Sequence, residues 1–386
     1  MTGQPHLRVV TDDAPLQVLD ALERPGPTAV VDHRRPSVAD ALAAASPRAV
    51  PDGTWLVATT SGSTGAPRAV CRTRASWSAS VDAFATATGT GRGTRVLVPG
   101  PLCSTMFLHA AWHARQVGAQ PVLADGALPL ADAVDRAWDV AHLVPHLLAD
   151  LLDAVPSTPS TLGCRTVVVA GAALPTPLRR RAEEHGLRVV EYYGAAELSF
   201  VALADGHPLR PFPAVEVQAR DGVLWVRSPY LSLGYAGVTG ASGPWQQDAD
   251  GWSTVGDRGS VQPDGSIVVQ GRGAAAVQTG GATVHVADVE ALLRRHGDVT
   301  DAVVVGRPHA RLGQVVAAAV ESSDATLDDV RAWSRAHLDA AARPRHWVVV
   351  PRLPRTASGK VDRLAAERLL EQPRPRQTGR TRRHQA

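Results

Sequence analysis

Apolar residues fall along this chain in short continuous runs separated by amphipathic stretches, and that rhythm predicts the elements. At 55–59 the run WLVAT has strand length and breaks into a Ser/Thr/Gly stretch, as a buried strand bounded by turn residues does. A helix is predicted near 75–88, then a strand at RVLVPG (95–100), a helix over FLHAAWHARQVGA (107–119) and a strand at QPVLAD. The alternation continues through helix 146–154, strand RTVVVAG (165–171), helix 175–185 and strand LRVVEYYG (187–194). Strands alternating with helices imply a largely parallel sheet covered on both faces. Ahead of this series, residues 1–50 mix runs such as LQVLDAL with Pro-rich connectors, which predicts a small α/β segment.

From 210 the period shortens. AVEVQARDGVLWVRS and GWSTVGDRGSVQPDGSIVVQG alternate apolar and polar residues around Asp-Gly pairs at 221 and 264, the pattern of antiparallel hairpins. After Gly271 a second α/β unit follows: helix VADVEALLRRHG, strands DAVVVGRP and QVVAAAVE, helix LDDVRAWSRAHLDA and strand HWVVVPRL. The junction between the two units is placed at 272–276.

Composition narrows the class. The 386 residues (40.6 kDa) are 44% hydrophobic, long enough for two or three domains with sizeable cores. No run approaches the ~18 apolar residues of a membrane helix, and MTGQPHLRVVTDD lacks a signal core, so a soluble cytoplasmic protein is expected. Cys71, Cys103 and Cys164 form no C-x-x-C pair and read as buried small hydrophobes. The formal charge of +3 is misleading as to partners. Residues 371–386, EQPRPRQTGRTRRHQA, hold five arginines and one glutamate, so the body before them is slightly acidic. This Pro- and Arg-rich tail is expected to be disordered, and a dedicated nucleic-acid function is a minor reading.

One basic residue stands apart. Lys360, in LPRTASGKVDR, is the only lysine among 40 basic side chains. Drift toward arginine explains the other 39 and predicts no exception. A lysine is a compact ammonium on a thin stem and can enter a site that a planar guanidinium cannot.

Six stretches, the lysine loop among them, sharpen the chemistry. TTSGSTGAPRAV (59–70) places hydroxyls and glycines directly after a strand, where backbone N–H groups and hydroxyls can meet phosphate oxygens. It lacks the spacing and the lysine of a P-loop. AGAALP (170–175), YYGAAE (192–197), STVGDRG (253–259), GRGAAAVQTGG (271–281) and LPRTASGK follow in order. This ordered series resembles the AMP-forming adenylating enzymes, which include acyl-CoA synthetases, nonribosomal peptide adenylation domains and firefly luciferase. Their patterns are T-S-G-T-T-G-x-P-K-G, Y-G-x-T-E, T-G-D, G-R-x-D-D-x-x-x-x-G-G and L-P-x-T-x-S-G-K. The resemblance runs from about 55 to 370, and the compact form is similar to o-succinylbenzoate–CoA ligases.

The resemblance implies an α/β fold with a large N-terminal adenylating core, a small antiparallel part and a small mobile C-terminal α/β domain. Its parts would be a shortened N-terminal segment (1–54), an ATP- and acyl-binding core (55–271), a hinge (272–276), a lid carrying the catalytic lysine (277–370) and the basic tail (371–386). Thr60, Ser61, Gly62, Ser63, Thr64 and Gly65 would wrap the β- and γ-phosphates of ATP, with Arg68 where the family has lysine. Gly171 and Ala172 would edge the adenine, and Tyr193, followed by Gly194, would stack on it. Glu197 would hold Mg²⁺; Asp257 and Arg272 would take the ribose. Lys360 would contact the attacking carboxylate and the α-phosphate. Gly280 and Gly281 would let the pantetheine arm of coenzyme A pass.

The implied reaction joins a small carboxylic acid to coenzyme A through an acyl-adenylate. Loading a carrier protein's phosphopantetheine is the alternative, and a non-catalytic nucleotide-binding relative is a third reading. Departures from the pattern are Ala196 for the hydroxyl residue of Y-G-x-T-E, Ala274 and Ala275 for the hinge acids, Ala69 for a glycine, and Ser104 where many relatives place a gating His or aromatic.

Overall fold

The computed structural model describes residues 6–45, 49–60, 68–123, 138–155, 165–237, 244–272, 276–279, 282–309, 312–356 and 359–371. Among them, four sheets carry the molecule. The first has five strands in the order Arg8–Thr11, Thr28–Val31, Leu56–Thr60, Arg68–Arg72, Gly234–Tyr235. The residues before 54 thus supply two parallel strands to the sheet from which the Ser/Thr/Gly stretch departs.

The second sheet has seven strands: Arg210–Pro211, Ser199–Asp205, Arg188–Ala195, Thr166–Val169, Val140–Leu143, Arg95–Val98, Gln120–Leu123. Its five members from Arg188–Ala195 to Gln120–Leu123 are parallel, as the strand–helix alternation predicts. Both faces are covered. Val96, Val98, Val140, Val168 and Val190 pack toward the first sheet, with the helix Thr105–Gln116 between. Leu97, Ala141, Leu143, Val167 and Val169 face the helices Pro145–Ala154 and Thr176–Glu184. Successive strand residues point to opposite faces, so runs such as TVVV are apolar at every position because each face is buried.

The predicted helix at 75–88 is two helices, Arg74–Ser78 and Val81–Thr88. Buried Ser80 sits at the break and donates its hydroxyl to the Trp77 carbonyl at 2.7 Å, a local bond that competes with helical continuation.

The third sheet is antiparallel and carries both Asp-Gly turns. Asp221 (φ 51°) and Gly222 (φ 74°) both adopt the left-handed region, joining Glu216–Arg220 to Val223–Arg227 in two residues. At 264 the turn is wider, closed by the Gln262 N–H on the Ser266 carbonyl (2.7 Å). The strand Ile267–Arg272 ends this sheet, and Ala276–Thr279 begins the fourth, so the sheet change brackets the 272–276 segment. The fourth sheet runs Ala282–His285, Ala276–Thr279, Gly313–Glu321, Asp301–His309, with His346–Val350 parallel to Gly313–Glu321. Its core is Val/Ala-rich and covered by the helices Val286–Leu293, Leu327–His337 and Arg363–Glu371. Of the cysteines, Cys71 and Cys103 are buried, and burial pushes the Cys71 thiol up to about 12; Cys164 lies outside the described residues. No helix is long and apolar enough to cross a membrane.

Candidate active site

The strands Arg188–Ala195 and Ser199–Asp205 form a hairpin, and its turn presents YYGAAE to a pocket. The turn is tight enough to require glycine: a Cβ on Gly194 would lie 2.0 Å from the Ser199 carbonyl oxygen. Strand alternation sends neighbouring tyrosines opposite ways. Tyr192 lines the pocket. Tyr193 turns toward the third sheet and donates its hydroxyl to Asp257 Oδ2 at 2.7 Å. Asp257 is itself the cross-strand partner of Arg272, so the STVGDRG and GRG stretches meet in register.

Glu197, in the turn, is buried (2% exposed). Three partners aim it. The Tyr235 hydroxyl donates to its Oε1 at 2.8 Å, and the Ser232 N–H donates to its carbonyl at 2.8 Å. Arg72, buried from solvent, donates to the carbonyls of Ala196 and Tyr230. Burial lowers the Arg72 guanidinium to about 10, while the neighbouring Glu197 carboxylate works against that fall; the group stays charged at neutral pH. Burial, with Glu197 nearby, pushes the Tyr235 phenol above its usual range, so it remains a donor. Neither Arg72 nor Tyr235 was singled out from sequence. The only signal was RAVCR, which places Arg68 and Arg72 on one face of a strand. Arg68 too is buried, and Thr60 is its cross-strand partner. Ser61 to Gly65, between them, lie outside the described residues.

The pocket encloses about 1070 Å³, part of it continuous with solvent. At one end are Ala170, Gly171, Gly194, Ala195, Ala196 and Lys360. Gly171 has φ +87°, and a Cβ there would stand 3.2 Å from Val144 and 3.8 Å from Lys360 Cε. Ala172 follows it on the surface.

In the middle, Trp77, His109, Tyr192 and Phe200 make an aromatic wall; ring centroids are 4.9 Å apart for Trp77–His109, His109–Phe200 and Tyr192–Phe200. Burial, with His113 and His142 beside it, holds the His109 imidazole well below its ordinary range, so this wall is neutral. At the far end are Val31, Asp32, Arg35, Val38, Cys103 and Ser104. Asp32 is committed to Arg34, which donates to it from its backbone N–H (3.0 Å), Nε (2.9 Å) and a terminal nitrogen (3.2 Å). Half-buried Arg35 takes no side-chain partner among the described residues. Val31, Asp32, Arg35 and Val38 come from residues before 54, where the sequence offered no recognisable motif, and Ser104 is the departure noted at the gating position.

Lys360 comes from the fourth sheet's domain. Its loop is a tight hairpin: Thr356 N–H donates to the Lys360 carbonyl at 2.7 Å, Gly359 N–H to the Thr356 carbonyl at 2.9 Å, and Arg355 bridges Val361. The base of the hairpin is anchored by Arg355, which pairs with Asp301 (3.3 Å) and Glu321 (2.7 Å). Gly280 and Gly281, Gly273 to Ala275 and residues 372–386 lie outside the described residues, as does the side chain of Arg272.

The residues present fit one divalent cation at a nucleotide. Glu197 Oε1 is occupied by Tyr235, and Oε2 receives no hydrogen bond from a described residue. Mg²⁺ is commonly held by one or two carboxylates together with phosphate oxygens and waters.

A model of the AMP-binding enzyme family matches residues 4–236, and one of the AMP-binding enzyme C-terminal domain matches 288–360. The chain is 32% identical over 342 residues to a probable 2-succinylbenzoate–CoA ligase of Mycobacterium tuberculosis, spanning 83% of this chain and 85% of that protein. It is 28% identical over 375 residues to an uncharacterized acyl–CoA ligase of Bacillus subtilis (90% and 75%). Among solved structures, the amide bond synthetase McbA from Marinactinospora thermotolerans superposes with a TM-score of 0.70 at 27% identity (95% and 79% covered). An Escherichia coli MenE with bound OSB-AMS gives 0.72 at 25% (83% and 70%). With both domains matched, and with residues of AGAALP, YYGAAE and the lysine loop lining one pocket, the chain belongs to the AMP-binding enzyme family, as an AMP-forming acid–thiol ligase.

Proposed function

We propose that this protein is an ATP- and Mg²⁺-dependent acid–coenzyme A ligase whose acid carries an aryl or similarly flat apolar body. One observation carries the reading: the lone lysine of the small domain lies in the pocket that the YYGAAE turn and Gly171 line. In the first half-reaction the acid's carboxylate attacks the α-phosphate of ATP, expelling pyrophosphate and leaving an acyl-adenylate. The ammonium of Lys360 lowers the repulsion between these two anions as they approach. Glu197 would hold Mg²⁺, which when bound offsets charge on the triphosphate. Asp257, with two acceptor oxygens, would receive the ribose hydroxyls in exchange for its bond from Tyr193. In the second half-reaction the thiol displaces AMP.

The aromatic wall supports the choice of acid, as do relatives named as ligases of 2-succinylbenzoate and 4-chlorobenzoate. Coenzyme A is the favoured acceptor; a carrier protein's pantetheine is the second reading. The test is pyrophosphate release from Mg-ATP across aryl, short-chain and long-chain acids, followed by mass analysis of product with coenzyme A, a loaded carrier or an amine. Release with aryl acids and a coenzyme A thioester is the expected result. Absence of release with every acid refutes the ligase reading.

A further inference from the structure

The lysine loop does not merely hang over the pocket. It rests on the N-terminal half of the helix Pro145–Ala154, which belongs to the large domain. At Gly359 (φ +80°) the two domains approach so closely that a Cβ would lie 2.6 Å from His146 Cε1 and 3.0 Å from a methyl of Val144. One turn further along the helix, Asp150 forms an ion pair with Arg352, in the segment leading into the loop. His146 Nδ1 is buried there without a hydrogen-bond partner. Its charged surroundings are Arg355 and Arg352 from the small domain, with Asp301 behind them and Asp150 on its own helix.

We infer that His146 and Asp150 are positioning residues that seat the lysine loop for adenylate formation, and that a proton on His146 unseats it. Positive charge at 146 would face two arginines and the positive end of its own helix, with its buried nitrogen supplying no compensating bond. The inference rests on the two-step reading above, but docking itself can be measured without turnover.

The sign follows from the geometry. Burial first, then Arg355 and Arg352, depress the His146 imidazole to about 4 in the seated state. An exposed histidine titrates near about 6.5. The released state therefore binds a proton that the seated state refuses, so seating is at full strength above about pH 7 and weakens as pH falls through that window, roughly tenfold by about pH 5.5. Asp150 has the opposite tendency, since burial pushes its carboxyl up although Arg352 pulls it down. His146→Ala retains Asp150 and isolates the histidine.

Three measurements decide the matter. Hydrogen exchange of the free protein should show residues 352–356 and 359–361 less protected at pH 5.5 than at pH 7.5, and His146→Ala should remove most of that difference. His146→Lys should slow pyrophosphate release at least roughly tenfold at pH 7.5, yet leave thioester formation from supplied acyl-adenylate within about threefold of wild type. Asp150→Arg should do likewise more weakly, and adding Arg352→Asp should restore it. Equal loss in both half-reactions, no rescue by the charge swap, or pH-independent protection of the loop would each overturn the inference. Loop protection that follows His146 in a protein releasing no pyrophosphate would uphold the seat and refute only the ligase reading.

Discussion

Replacing Lys360 tests the chemistry most directly. Its stem passes Gly171, with Cε 3.8 Å from where a Cβ would stand, so the exposed side chain lies along the pocket at the glycine backbone. At about 4 Å from an anionic oxygen, a unit charge is worth about 4 kcal/mol at the effective dielectric near a protein surface, and about 1 in bulk water. The pocket opens partly to solvent, so the larger figure is an upper bound. Lys360→Ala is therefore expected to slow adenylate formation by roughly 10²- to 10³-fold. Stopped-flow pyrophosphate release measures that step, and thioester formation from supplied acyl-adenylate measures the other, which should stay within about threefold of wild type. Lys360→Arg should fall close to Lys360→Ala, because a broad planar fork does not reproduce the contact of a compact ammonium with a single oxygen. Equal loss in both half-reactions would remove the lysine from the first step. Wild-type rates in Lys360→Arg would mean that the lone lysine is a compositional accident.

Other outcomes follow from the same geometry. Asp257→Ala should raise the KM for ATP at least roughly tenfold while the urea midpoint moves little, since the role proposed for its carboxylate is to hold the ribose; an unchanged ATP dependence refutes the assignment. Arg72→Met should cost about 3 kcal/mol in urea unfolding, because it strands two buried carbonyls and leaves Glu197 without its buried cation; a loss under about 1 kcal/mol would show that the turn stands without it. Ala274→Pro should spare one half-reaction and slow the other at least roughly tenfold, since proline fixes its own φ and restricts Gly273 at the proposed pivot; two unchanged rates would move the hinge elsewhere.

What the sequence made legible divides along physical lines. Elements buried on both faces, such as VVVAG and VVAAAVE, announce themselves by unbroken apolar runs, and the structure places strands at Thr166–Val169 and Gly313–Glu321. The break at Ser80 was not legible, because a serine in a helical pattern is ordinary until its hydroxyl is seen on the Trp77 carbonyl. Within the site, the motif residues that line the pocket, such as Gly171, Gly194 and Lys360, were readable through their order along the chain. The residues that hold them were not. Arg72 acts through backbone carbonyls 124 and 158 positions away, Tyr235 through a carboxylate 38 positions away, and Asp150 through a partner 202 positions away. No local periodicity encodes such pairings; only the folded sheets and the domain contact create them.

The departure at Ala196 can be weighed on this framework. On the proposed function, the lack of a hydroxyl there removes one donor to phosphate, worth roughly 1.5–3 kcal/mol if the acceptor is charged. Were the turn itself dependent on that side chain, Glu197 would be misdirected as well, and a non-catalytic protein would follow. The turn is instead held through the backbone: Arg72 grips the Ala196 carbonyl, Ser232 the Glu197 carbonyl, and Gly194 permits the close approach of Ser199. None of these contacts uses the side chain at 196. The cost of alanine therefore falls on phosphate binding alone, about one to two powers of ten in rate. A protein that had abandoned the reaction would have no reason to keep a buried arginine, a donating tyrosine and its only lysine converging on that turn.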